Sequence, residues 1–126
     1  MSQKKRVNYV KRQVERISPN KDILILSGDF QYKENMFALN NLASSKYYRW
    51  DEIENIVAYK VDLMTTDDVR LDISFVDAVL TISEDIAGWN LFLENLMTAL
   101  PSIPKDWEQK VIETPFAANT TLIYKK

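Results

Sequence analysis

The sequence predicts a single α+β domain over residues 1–126, an antiparallel β-meander packed against a C-terminal amphipathic helix. Three observations carry this expectation. In "VRLDISF" at 69–75, Val69, Leu71, Ile73 and Phe75 alternate with Arg70, Asp72 and Ser74, the period of a strand with one buried face. The turn signals "TTDD" and "VDA" join that strand to "IVAYKVDLM" at 56–64 and "VLTIS" at 79–83, which makes three consecutive antiparallel strands. Trp89, Phe92, Leu93, Leu96, Met97 and Leu100 then form an apolar stripe at helical spacing that stops at Pro101.

The remaining elements follow from the same rules. Val7, Val10, Val14 and Ile17 recur at spacings of three and four, which predicts a helix in the basic segment 1–20. "SPN" at 18–20 signals a turn, and "DILILS" at 22–27 has the length of a strand, ended by Gly28. Residues 29–49 fit either a helix through "ENMFALNNLA" or a strand followed by a loop, and the "NN" and "SS" breaks favour strand and loop. "YYRW" at 47–50 has aromatic strand character, and "DEIEN" predicts one helical turn. The acids Glu84 and Asp85 suit a helix N-terminus, Pro104 suits the first position of a shorter helix through Trp107 and Val111, and "TTLIY" at 120–124 predicts a last strand.

Composition narrows the chemistry. With 46% hydrophobic and 27% charged residues the chain has the make-up of a globular protein. It contains neither cysteine nor histidine, which excludes disulfides, thiolate metal sites, cysteine nucleophiles and histidine general bases. The expectation is a protein that is not an enzyme and takes no cofactor. The basic start "MSQKKRVNYVKRQVER" is not followed by an apolar signal region, and no apolar run approaches the ~18 residues of a membrane span, so a cytoplasmic location is expected.

Charge is segregated along the chain. Residues 1–16 hold six basic side chains against Glu15, while residues 50–85 hold ten acidic ones against Lys60 and Arg70. Six of these acids, Asp62, Asp67, Asp68, Asp72, Glu84 and Asp85, are the candidate contact residues. Metal binding by them is disfavoured because no D-x-[DN]-x-[DN]-G loop is present. Acid/base catalysis would need a cleft of fixed carboxylate separation, and nucleic-acid binding by the basic start lacks a recognition motif. Lys60 and Asp62 share a strand face and read as a partly buried ion pair that orients the meander. Trp89, Trp107 and Phe116 read as core anchors.

"WDEIENIVAYKVDLMTTDDVRLDISF", "ISEDIAGWNLF" and "DWEQKVIETPFAANTTLIY" together resemble a group of small bacterial proteins with no assigned reaction. The matching positions are Trp50, Lys60, Asp62, Thr66, Asp67, Glu84, Gly88, Trp89, Trp107, Pro115, Phe116, Asn119 and Thr121, so the resemblance covers residues 50–124. Strands followed by one amphipathic helix also look like the second half of a pleckstrin-homology-like half-barrel. That second resemblance implies a lipid headgroup or peptide as ligand, held by the basic N-terminal segment. The acidic middle instead suits a basic protein partner, in the manner of bacterial immunity proteins that neutralise toxin nucleases, and a field of one sign steers such a partner without any catalytic residue.

Overall fold

The computed structural model describes residues 5–8, 29–40, 46–114 and 120–126. The expected turn at 18–20, the strand at 22–27 and the placement of Phe116 lie outside the described residues. In chain order the elements are β1 (Lys5–Asn8), β2 (Phe30–Lys33), β3 (Met36–Leu39), β4 (Tyr47–Arg49), a 3-10 turn (Trp50–Glu52), β5 (Asn55–Asp62), β6 (Asp67–Ser74), β7 (Ala78–Ser83), α1 (Trp89–Ala99), α2 (Trp107–Glu113) and β8 (Thr120–Lys125). They form a five-stranded sheet in the order β1, β7, β6, β5, β8 and a three-stranded sheet in the order β2, β3, β4. The described strands do not close into a barrel.

The expected meander is β5, β6 and β7, antiparallel throughout. Ile56 and Ala58 of β5, Val69, Leu71 and Ile73 of β6, and Leu80 and Ile82 of β7 are all buried, and the register sets Ile56 opposite Ile73 and Leu71 opposite Ile82. One face of the sheet therefore lines the core. The turn between β6 and β7 closes with Phe75 N–H donating to the Ala78 carbonyl at 2.7 Å. β8 adds to the far side of β5, and the register of this pairing shifts between Ile56 and Val57 of β5.

β1 corrects one expectation. Lys5–Asn8 is a strand parallel to β7, with Val7 opposite Leu80, where the valine spacing predicts a helix. Pairing with β7 supplies backbone partners, and β-branched Val7 suits a strand, so tertiary context overrides the pattern at these four residues; Val10, Val14 and Ile17 of the expected helix lie outside the described residues.

Over the described part of residues 29–49, namely 29–40 and 46–49, the three-stranded sheet favours strands. β2 and β3 form a hairpin whose turn places Asn35 at φ 57°, a left-handed position that asparagine tolerates. Its core-facing rings meet α1. Phe92 lies 4.6 Å from Phe30, 5.2 Å from Phe37 and 5.7 Å from Trp50, centroid to centroid. The ring contacts of α1 run to β2, β3 and the 3-10 turn, and its buried side chains share one core cluster with those of the meander, the expected partner.

Gly88 takes φ 92° immediately before α1, a conformation that a side chain would oppose, and Leu100 ends the helix with its N–H on the Leu96 carbonyl. Glu84 and Asp85 lie upstream of the first turn, which holds no acid, so their expected role at the helix dipole is not realised. Pro104 likewise precedes the second helix rather than opening it: its carbonyl accepts from Trp107 N–H at 3.2 Å, and α2 starts at Trp107.

Candidate functional site

The outward face of the meander is polar because the alternation that buries Val69, Leu71 and Ile73 turns Asp68, Arg70, Asp72 and Ser74 the other way. Register then decides what each acid meets. Asp72 lies opposite Thr81, whose hydroxyl donates to Asp72 Oδ1 at 2.7 Å, and the Tyr59 hydroxyl donates to the same oxygen at 3.0 Å. Asp68 is only 2% exposed. The Ser83 hydroxyl lies 2.8 and 2.9 Å from its two oxygens, and Arg70 Nε donates to Oδ2 at 2.7 Å. A buried carboxylate needs such partners, because an unpaired charge away from water is strongly disfavoured. Asp68 and Asp72 thus tie β6 to its neighbours, and Asp68 presents almost no surface to a partner.

Glu84 extends the ladder beyond the last strand pair. Its Oε2 accepts from Val69 N–H at 3.0 Å while its own N–H reaches the Val69 carbonyl at 2.9 Å. Partial burial holds the Glu84 carboxyl above the usual carboxylate range; the Val69 N–H opposes this, and Asp68, Asp85 and Glu108 add to it. Asp85 is exposed, and its backbone N–H donates to the Ser83 hydroxyl at 3.1 Å.

Asp62 and Asp67 face each other across the last rung of the β5–β6 hairpin, and both are exposed. The loop between them is tightly bonded. Asp62 Oδ1 accepts from Met64 N–H at 2.8 Å, and the Leu63 and Thr65 N–H groups donate to Thr66 and Leu63 carbonyls, each at 2.8 Å. Met64 sits at φ 75°, left-handed backbone that is unfavourable for a side chain of its kind, and is 92% exposed.

Lys60 departs from its expected pairing. Its ammonium lies 3.6 Å from Asp67 Oδ2, not paired with Asp62, and it donates to the carbonyls of Ile112 and Thr114 at 3.0 and 2.6 Å. The hairpin turn brings Asp67 back across the sheet to where Lys60 can meet it. Lys60 itself, 8% exposed, joins β5 to the C-terminal end of α2, where carbonyls attract a cation.

Five of the six candidate acids therefore gather at one end of the sheet, where β5 and β7 end and β6 begins, while Asp72 lies further in on the outward face. Sequence reasoning missed their hydroxyl partners Tyr59, Thr81 and Ser83, although pairing "RLD" with "TIS" across the "VDA" turn would have placed Thr81 opposite Asp72. It also missed a pocket of about 270 Å³ at the opposite end, lined by Glu52, Glu54, Phe75, Val76, Asp77 and Lys126. Among the described residues, no three acidic side chains are arranged to hold a metal ion. No described helix is long and apolar enough to cross a membrane.

No protein-family description, curated protein or solved structure matches the chain. The functional reading rests on its own residues.

Proposed function

We propose that this chain is a non-enzymatic protein-binding module of the bacterial cytoplasm, an immunity protein that neutralises a basic, nuclease-like toxin through the acidic end of its five-stranded sheet. The supporting observation is the convergence of Asp62, Asp67, Asp68, Glu84 and Asp85 at that end, with Asp62, Asp67 and Asp85 exposed. Clustered exposed charge of one sign accelerates encounter with a partner of opposite sign and rejects partners of like sign. Asp72 and buried Asp68 contribute by fixing the strands that carry the others. Lack of histidine and cysteine leaves such a surface with few means of catalysis, which favours recognition over turnover.

The test is recovery of the tagged chain from its native host at low and at high salt, with the copurifying proteins identified by mass spectrometry. A single stoichiometric basic protein that is lost at high salt is expected. Absence of any such protein at low salt refutes the reading. The competing proposal, a pleckstrin-homology-like module for a lipid headgroup or peptide, draws on the chain order of a three-stranded sheet, a meander and α1. It predicts sedimentation with anionic vesicles, abolished when Lys4, Lys5, Arg6, Lys11, Arg12 and Arg16 are changed to glutamine.

A further inference from the structure

We infer that the β5–β6 hairpin tip is the element that enters the basic protein partner, with Leu63, Met64 and Ile112 as its apolar centre and Asp62 and Asp67 as its acidic rim. This inference rests on the partner-binding reading above and names the part of the surface that does the binding.

The distribution of exposed apolar side chains is the first argument. Among the described residues the large exposed ones are Leu63, Met64, Val76, Ile112 and Leu122, and three of these five lie at the acidic end of the sheet. Leu63 and Met64 occupy the hairpin loop, and Ile112 is held beside its base because Lys60 binds the Ile112 carbonyl at 3.0 Å. Methionine is an adaptable apolar contact residue, and an apolar centre inside a charged rim is the common anatomy of a protein interface.

The loop is also preorganised. Its Leu63, Met64 and Thr65 N–H groups are all bonded within the loop, so the tip is a bonded turn before any partner arrives. Met64 is held at φ 75°, where glycine or asparagine would sit with less strain, yet the side chain present is a long apolar one at 92% exposure. Nothing in the packing of the described residues accounts for a methionine there. An anchor for another molecule does.

Charge selects the occupant. Residues 61–69 contain three aspartates and no basic residue; Lys60, buried against the carbonyls at the end of α2, lies 3.6 Å from Asp67 and offsets part of its charge, which leaves Asp62 as the stronger acid of the rim. An apolar slot rimmed by lysine or arginine complements this tip, whereas the same tip of a second copy would set aspartates against aspartates.

The experiment places the photoreactive residue benzoylphenylalanine at Met64 or, as a control at the opposite end of the sheet, at Val76, which is 72% exposed. The tagged full-length chain is illuminated in the native host and the adducts are identified by mass spectrometry. A discrete adduct with a basic protein from position 64, without one from position 76, is expected. Its yield should fall at least fivefold in an Asp62→Asn/Asp67→Asn background, which keeps the side-chain acceptor for Met64 N–H. Unchanged thermal unfolding of that double variant excludes misfolding as the cause.

An adduct from position 76 alone, or copurification of a salt-sensitive partner without an adduct from position 64, overturns the inference and leaves the partner-binding reading standing. An adduct at twice the mass of the chain overturns it in favour of self-association. Full yield after both aspartates are neutralised overturns the charge argument. No adduct and no copurifying basic protein overturn the inference and the reading together.

Discussion

Replacing Arg70 by methionine removes the cation that serves a carboxylate almost wholly withdrawn from water. Asp68 is 2% exposed, and it takes a 2.7 Å bond from Arg70 Nε besides those from the Ser83 hydroxyl. Removing one partner of a fully buried ion pair costs about 3–5 kcal/mol, and a hydrogen bond to a charged group contributes about 1.5–3 kcal/mol. Two features moderate the loss here: the Arg70 side chain is 34% exposed, so water already screens it, and Ser83 stays in place. We therefore expect Arg70→Met to destabilise the fold by about 2 kcal/mol, equivalent to a fall in Tm of about 8 °C for a chain of this length. Urea unfolding followed by tryptophan fluorescence and circular dichroism should show a lower midpoint with an unchanged slope. The double variant Asp68→Leu/Arg70→Met should be more stable than Arg70→Met alone, because no buried carboxylate is left without its cation. A loss below about 0.5 kcal/mol for Arg70→Met, the range of an ordinary surface substitution, would refute the reasoning. So would a double variant whose loss equals the sum of the two single losses.

Other substitutions separate the remaining contributions. Phe92→Ala removes the ring that Phe30, Phe37 and Trp50 share, and should cost about 3–5 kcal/mol with loss of near-ultraviolet dichroism. Among the described residues the buried Tyr32 hydroxyl has no hydrogen-bond partner at bonding distance; desolvation holds its pKa well above the usual phenol range, and the Asn95 side chain opposes this. Tyr32→Phe should therefore leave stability unchanged or raise it by up to about 1 kcal/mol in urea unfolding, whereas a clear loss would reveal a polar contact for that oxygen. Glu84 has a raised folded pKa, so the folded state holds its proton more tightly than the unfolded state does. Its contribution to stability is then greatest below the unfolded pKa and is lost as pH rises through the folded one. Glu84→Gln should thus gain stability relative to the parent as pH rises from mildly acidic to neutral, and a relative loss over that interval would show the sign to be wrong.

The meander was legible because two independent signals agree over it: the period of two in "VRLDISF" and the turn residues on either side. The N-terminal strand was not, because four residues carry little periodicity of their own and β1 owes its pairing to β7, more than 70 positions away. The candidate acids were legible as residues and illegible as roles. Whether an aspartate on β6 faces water or a hydroxyl is set by the cross-strand register, which joins Asp72 to Thr81 across a turn. Lys60 makes the same point. Its neighbour in the chain on the same face is Asp62, but its partner in space is Asp67, returned by the hairpin, together with two carbonyls at the C-terminal end of α2. The pocket at the other end draws on two separated stretches and the final lysine, a combination with no local pattern to announce it.

A count of charge along the chain therefore overstates the field that a partner meets. Asp68 and Asp72 are held by Arg70 and by hydroxyls, Asp51 forms a paired contact with Arg49 at 2.8 and 2.9 Å, Asp67 lies 3.6 Å from Lys60, and Glu54 lies 4.0 Å from Lys126. The acids also divide between the two ends of an eight-residue strand, β5, which at about 3.3 Å per residue separates them by about 25 Å. Screening at physiological ionic strength reduces exposed charges over about 8 Å, so Glu52, Glu54 and Asp77 act locally and add little to the potential around Asp62 and Asp67. A partner drawn to the hairpin tip thus responds to the few exposed acids there, and its association should weaken with salt far less steeply than ten acidic residues in one field would require. Charge reversal at Asp77 should leave that association rate unchanged, while neutralisation of Asp62 and Asp67 should lower it. The reverse ranking would place the binding surface at the opposite end of the sheet, over the pocket that Phe75 and Val76 line.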